Sequence, residues 1–223
     1  MKVELIAYTP IPDAVCNMAS GTCVSEDIPV MEMSVNRFRA LKGALKSGHE
    51  SVVEHASFTF AISGVSRALT HQLVRHRMAS YSQQSQRYVR MDNFDIVIPQ
   101  SIKDNMDAWD DYSTLMMYVR DLYDVMVNDY NIPEEDARYI LPNACTTNIV
   151  VTMNARELRH FFRLRCCTRA QWEIREMANK MLELCKEVAP TIFADAGASC
   201  VATGRCPEGK KSCGRVKSSN EEF

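Results

Sequence analysis

Between Gln72 and Arg87 the chain concentrates groups able to grip an anion. Gln72, Arg75 and His76 are spaced i, i+3 and i+4, so on one predicted helix an amide, a guanidinium and an imidazole share a face, with Arg77 directly after them. Ser80, Ser82, Gln83, Gln84, Ser85, Gln86 and Arg87 follow on a predicted loop and add hydroxyls, amides and a further cation. Three Arg and one His within thirteen residues suit a phosphate cradle, since guanidinium meets phosphate oxygens through paired, charge-assisted hydrogen bonds. The same residues also suit a solvated basic helix end that complements the helix dipole. A second cluster repeats the theme: Asn154, Arg156, His160, Arg163 and Arg165, beside Phe161 and Phe162. Arg156, His160 and Arg163 fall at i, i+4 and i+7, giving one cationic and one apolar face; the alternative is an amphipathic helix whose Arg stems cover a core. Two such clusters in one small chain imply more than one bound anion.

Composition bounds what can hold these groups. A chain of 223 residues, 46% hydrophobic and 24% charged, suits one core domain, expected over residues 1–195. A Cys-, Lys- and Gly-rich tail, 196–223, is expected to carry little structure of its own. The net charge of -2 argues against a general nucleic-acid binder, so phosphate recognition has to be local. The opening residues show no export signal, and no apolar run approaches a membrane span, which reads as a cytoplasmic protein with no membrane partner. Nine cysteines, an odd number, favour reduced thiols.

The elements read as an α+β mixture without βαβ rhythm, and with no GxGxxG or Walker sequence. A strand opens the chain and ends at Pro10 and Pro12. A helix capped by Ser34 carries Phe38, Leu41 and Leu45 and stops at Gly48. Phe58, Phe60 and Ile62 share a strand face that Gly64 breaks, before a helix of about three turns from Ser66. Residues 94–98 form a short strand, 105–130 the longest helix, and 133–141 a short helix starting at Pro133. A β-branched strand, TTNIVVTM, then leads to two helices capped by Asn154 and Thr168, separated at Cys166 and Cys167.

The run Arg75-His76-Arg77, seven residues, then Ser85 resembles the motif of flavin-dependent thymidylate synthases. Gln72 and Arg87-Tyr88 agree with it, as do GHESVVEH at 48–55, NAREL at 154–158 and AQWEIR at 170–175; the likeness runs from about residue 30 to 195. It implies a mostly antiparallel sheet packed against several helices and a homotetramer with active sites shared between subunits. The implied activity is that of a methyltransferase: dUMP becomes dTMP, with 5,10-methylenetetrahydrofolate as one-carbon donor and FAD reduced by NADPH. Carried over by position, Ser51, Arg75, His76, Arg77, Gln83, Asn154, Arg156 and His160 contact FAD. Gln72, Arg75, Gln83, Gln84, Ser85, Gln86, Arg87, Arg138 and Arg165 contact dUMP. Arg165 takes the catalytic role of stabilising the pyrimidine anion. Two positions depart from the family pattern: Gln83 stands where a Glu is frequent, without its charge, and His160 where an Asn can stand.

Ser85 reads as a phosphate-binding hydroxyl rather than a nucleophile, since no base-plus-orienter arrangement accompanies it. His49 and His55 are expected in core or hydrogen-bonding roles. Cys200, Cys206 and Cys213 have loose spacing, a weak zinc signal, so free thiols and no metal are expected. The rivals are a nucleotide- or RNA-binding protein using the same Arg clusters without catalysis, and a flavin oxidoreductase that transfers no methyl group.

Overall fold

Period-two burial makes the sheet. In the computed structural model, which describes residues 1–216, Phe58, Phe60 and Ile62 of one strand and Thr147, Ile149, Val151 and Met153 of another are buried while their neighbours are not. The chain runs β1 (Lys2–Tyr8), α1 (Pro12–Thr22), α2 (Arg39–Lys46), β2 (Ser57–Ser66), α3 (Arg67–Leu73), β3 (Ala79–Gln83), α4 (Gln100–Lys103), α5 (Met106–Asn128), α6 (Glu134–Ala137), β4 (Thr146–Asn154), α7 (Ala155–Arg165), α8 (Trp172–Val188) and α9 (Ser199–Thr203). The strand order is β1-β2-β4-β3 in an antiparallel sheet, as expected. Backbone pairing fixes the β2–β4 register: Ala155 N–H donates to Ala56 O at 2.8 Å, and Arg67 N–H to Cys145 O at 3.1 Å.

The chain divides into two compact units, with boundaries that fall within β2 and β4. The first comprises Met1–Lys2, Ile62–Gln72 and Ser82–Ile149; the second comprises Val3–Ala61, Leu73–Tyr81 and the chain from Val150 onward. In the first, α5 packs with α4 and α6 over a core of Met91, Phe94, Tyr123, Ala137 and Cys145. In the second, α7 lies against α8, α9 and the 3-10 turn Glu50–His55. Its core is aromatic: Phe58, Phe162 and Phe193 meet edge to face at 5.4 and 5.9 Å between ring centroids.

Several sequence expectations are corrected. The prolines that end β1 also start α1, with Pro12 in the first turn where its missing N–H costs nothing. Gly64 does not break β2, because at φ 66° it adopts the left-handed conformation and lets the strand continue to Ser66. The helix that follows is two turns, not three, and MASYSQ enters β3 rather than a loop. The Tyr81 hydroxyl lies 2.9 Å from Leu73 O and 2.8 Å from His76 O, satisfying a carbonyl at the end of α3. Arg75 and His76 therefore leave the helix, and the shared helical face with Gln72 is lost. Ser34 precedes only a 3-10 turn, Val35–Arg37, without a side-chain capping hydrogen bond, and Phe38 stands at the start of α2. Residues 94–98 reach the sheet only through an Ile96–Cys145 bridge. Gln171, not Thr168, caps α8, accepting from Glu173 N and Ile174 N at 3.1 Å each. The tail holds α9 and a 3-10 turn, Gly209–Lys211; residues 217–223 lie outside the described residues.

Candidate active site

Asn154 closes β4 and caps α7 through its Oδ1, which accepts the Glu157 N–H at 2.9 Å. That cap sets the rotation of α7. Leu158, Phe161 and Phe162 face the core, as the i, i+4, i+7 spacing predicts, and the cationic face looks onto a cavity of about 330 Å³. Asn154, Arg156, His160 and Arg163 line it, with Met78, Glu50 and Glu54. Arg156 is ion-paired with Glu54 and Arg163 with Glu50. Glu50 also receives Arg159 Nε at 3.1 Å. Arg159 is almost fully buried and is answered again by Asp195 at 2.6 and 3.2 Å and by Ile192 O at 2.6 Å. Pairing on this scale is what a buried guanidinium requires.

His76 is the centre of the second unit's polar chemistry. Only 5% exposed, it packs edge to face on Phe161 at 4.9 Å. Its Nδ1 lies 3.2 Å from Glu157 Oε1 and its Nε2 is 3.1 Å from Arg165 Nε. Arg165 Nε–H can only donate, so Nε2 must accept and the proton belongs on Nδ1, facing Glu157. Burial first and the Arg165 cation second hold the His76 pKa below its ordinary value, against the pull of Glu157. A neutral imidazole thus orients the guanidinium of Arg165, in the manner of a base oriented by a carboxylate. Both ring nitrogens are spoken for, which removes His76 as a general base for Ser85.

Arg75 and Arg77 are exposed and have no ion pair or side-chain hydrogen bond among the described residues. Ser51 is exposed at the start of the 3-10 turn. His49 and His55 are exposed too, which corrects their expected core role: the turn buries Val52 and Val53 instead.

The first unit carries most of the expected nucleotide residues. Gln83 Nε2 donates to Thr70 Oγ1 at 3.1 Å and lies 3.4 Å from Thr147 Oγ1. The Thr70 hydroxyl donates its own proton to Arg67 O at 3.0 Å, so toward position 83 it acts as an acceptor, a role that suits the amide nitrogen of Gln83. Gln72 is half-buried, and Gln84 pairs its backbone N–H with Asn148 O at 2.9 Å. Ser85 Oγ accepts the Arg87 N–H at 3.1 Å, a turn that presents a hydroxyl and a cation together. Arg87 pairs with Glu135 at 2.9 Å, and Arg138 Nε donates to Glu135 O at 2.9 Å, so one acidic residue spaces two guanidiniums. Gln86 Nε2 points to Cys145 Sγ at 3.8 Å; burial pushes that thiol up to about 11, leaving it protonated and a poor nucleophile.

Sequence reasoning missed Arg67, Glu157 and Arg159. Arg67 has no carboxylate partner among the described residues, and its pKa is lowered by burial first and by the nearby Arg138. A desolvated cation beside another cation is a place for an anion. No sequence spacing could have found it, for 67 and 138 come within electrostatic reach only in the folded chain. Glu157 did have a signal, as the partner of the Asn154 cap, but its carboxylate serves His76.

A family model described as "Thymidylate synthase complementing protein" matches residues 4–191. The "Flavin-dependent thymidylate synthase" of Geobacter sulfurreducens is 52% identical over 222 residues, covering 97% of this chain and 95% of that protein. That of Clostridium tetani is 48% identical, covering 97% and 94%. The chain belongs to the flavin-dependent thymidylate synthase family. A crystal structure of the Helicobacter pylori family member, complexed with FAD and dUMP, shares the fold at a TM-score of 0.73 and 24% identity, over 88% of this chain and all of that one. Family membership sets aside the non-catalytic nucleotide- or RNA-binding alternative and the oxidoreductase without methyl transfer. The nine cysteines are unbridged, and no three His, Cys, Asp or Glu side chains among the described residues are grouped to hold a metal ion. No helix among them is long and apolar enough to cross a membrane.

Proposed function

We propose that this chain methylates dUMP to dTMP as an FAD-dependent thymidylate synthase, drawing the carbon from 5,10-methylenetetrahydrofolate and reducing equivalents from NADPH, in the cytoplasm. Residues 1–195 carry this chemistry. The observation that supports it best is the Glu157–His76–Arg165 chain, which holds one guanidinium in a fixed plane by a buried neutral histidine. Such a guanidinium is of use where negative charge develops on a ring. At about 4–6 Å an opposite charge favours the ionised form by roughly one to three pKa units, enough to help uracil N3 release its proton and make C5 nucleophilic.

The residues of the second unit fit FAD. Exposed Arg75 and Arg77 lack carboxylate partners among the described residues and suit its diphosphate, while Asn154, Arg156 and His160 supply hydrogen-bonding groups around a cavity of the same unit and Ser51 offers an exposed hydroxyl. When bound, the flavin supplies hydride and carbon-transfer chemistry that no side chain here can perform. The chain's own residues do the rest. Asn154 has spent its Oδ1 on the α7 cap, so its amide nitrogen is the group offered. Arg156 gives up part of its pairing with Glu54 to reach a ligand. Gln83 meets a ligand through its carbonyl oxygen, as its nitrogen is turned to Thr70 and Thr147.

For dUMP, Ser85, Arg87 and Arg138 form the phosphate cradle, and Arg67 joins them as a cation that the phosphate neutralises. The family resemblance assigns the remaining nucleotide contacts to Gln72, Gln84 and Gln86 of the first unit and to Arg75 and Arg165 of the second, Arg165 with the pyrimidine. A homotetramer with shared sites is supported by the bare apolar groups on α5: Leu115, Met117 and Tyr118 are each more than half exposed, a surface that a monomer rarely leaves uncovered. One assay with dUMP, methylenetetrahydrofolate and NADPH tests the activity, and dTMP should form only when all three are present. A yellow protein that oxidises NADPH without making dTMP would refute the proposal, and light scattering showing an active monomer would remove the assembly.

A further inference from the structure

The C-terminal segment builds a cavity of about 270 Å³ against the end of α7 and the turn after it. Among the described residues, four arginines line it, Arg163, Arg165, Arg169 and Arg215, with one acidic residue, Glu208. Arg163 is answered from outside the cavity by Glu50. Arg169 and Arg215 have no carboxylate partner among the described residues. The chain as a whole carries a net charge of -2, so general basicity does not explain this concentration of cations. Like charges that face one small space repel, and an anion that enters it relieves the repulsion. The wall formed by Cys200, Cys206, Glu208 and Arg215 lies beyond residues 4–191, the stretch that the family model matches.

We propose that this cavity binds the anionic tail of a co-substrate, a carboxylate or phosphate group carried by a molecule whose reacting end meets the nucleotide elsewhere. The inference rests on the proposed thymidylate synthase activity and adds to it a subsite. The volume suits a tail rather than a whole cofactor, since pockets that enclose a drug-sized ligand run from roughly 300 to 1,000 Å³. Arg165 shares the wall, so an anion held here sits beside the guanidinium assigned to the pyrimidine. Two co-substrates carry such a group: the glutamate tail of the folate and the 2′-phosphate of NADPH. The phosphate of dUMP already has a cradle in the residues around Ser85.

Thiols in the cavity wall provide a readout that does not depend on turnover. Cys213 is exposed and its pKa is lowered, chiefly by a hydrogen bond with Thr168, so it should alkylate readily; Cys206 lies beside it on the wall. Exposed Cys23, outside the cavity, serves as an internal control. Limited iodoacetamide labelling, read by peptide mass spectrometry, should slow at Cys206 and Cys213 but not at Cys23 when tripolyphosphate, a folate polyglutamate or NADPH is added. In parallel, Arg169→Ala with Arg215→Ala should raise the KM for one co-substrate about tenfold, in KM rather than kcat, and leave the dUMP KM and flavin content as they were. A lost preference for polyglutamated over monoglutamated folate assigns the tail to the folate; a lost preference for NADPH over NADH assigns it to the nicotinamide. No protection by any probe, or a change confined to the dUMP KM, overturns the subsite. The labelling arm still reports on the cavity in a protein that makes no dTMP, so failure of the activity and failure of the subsite are told apart.

Discussion

Arg165→Lys separates orientation from charge. Lysine keeps the cation but has no Nε–H at the point where arginine donates to His76 Nε2 at 3.1 Å. His76 is 5% exposed, so water reaches the abandoned acceptor poorly. Leaving one buried acceptor unsatisfied costs about 1–3 kcal/mol. If that cost falls on the catalytically competent arrangement, turnover drops by about fivefold to 150-fold, at 1.4 kcal/mol for each factor of ten. The cofactor-binding residues Arg75, Arg77 and Arg156 are untouched, so the variant should remain yellow. The assay pairs single-turnover dTMP formation with flavin absorbance per chain, on protein whose thermal midpoint is checked in parallel. Equal loss of flavin and turnover would give Arg165 a structural role, and full turnover would show that the hydrogen bond to His76 orients nothing of consequence.

Arg77→Ala should release flavin while leaving the fold intact, because Arg77 has no partner among the described residues; a fully yellow, active variant takes it out of the cofactor site. Ser85→Ala should weaken apparent dUMP affinity by about ten- to a hundredfold with turnover surviving at saturation, the loss of one hydrogen bond to a charged group; no detectable rate at saturating dUMP, with FAD bound, would point to a nucleophile. Arg67→Ala should also raise the dUMP KM, and, by removing an unpaired desolvated cation, should not lower the thermal midpoint of the ligand-free protein; a clear destabilisation would make Arg67 structural. The folded-state pKa of His76 lies below its usual 6.5, so the stabilisation that it brings is whole above about 6.5 and is lost as pH falls from there toward the folded value. Glu157→Gln removes a group that raises this pKa, so the loss of stability should still begin near 6.5 but run on to lower pH and grow larger than in the parent; an acid loss that is unchanged or smaller would exclude His76 as its source.

Local chemistry was legible in the residues themselves. The spacing of Arg156, His160 and Arg163 put them on one face of α7 with Phe161 and Phe162 on the other, and the Asn154 cap was visible because capping needs only neighbours in sequence. The same holds for β4, whose β-branched run has one buried face, and for the long helix α5, where Asn105 caps a helical repeat. What failed were readings that treated a local signal as complete. Pro12 ends a strand and equally begins a helix, and only the burial of Asp13, whose carboxylate accepts from Thr191 N and Ile192 N at 2.7 and 3.0 Å, shows what that helix is for. Gly64 looks like a breaker until the strand beside it holds β2 in place. Tyr81, eight residues downstream of Leu73, supplies the hydroxyl that donates to the Leu73 and His76 carbonyls where α3 ends, and Arg75 and His76 lie beyond that end, off the helical face.

The partners of the charged groups were not legible at all. His76 pairs with Glu157 across 81 residues, Arg159 with Glu50 across 109, and Arg67 approaches Arg138 only in the folded chain. Electrostatic energy depends on distance and burial, neither of which a one-dimensional spacing contains. The sequence by itself thus determined which residues could bind anions, and through its likeness to a family, which anions to expect. Tertiary structure decided which cation is oriented by a neutral histidine, which is neutralised by a carboxylate, and which are left without a partner and open to a ligand.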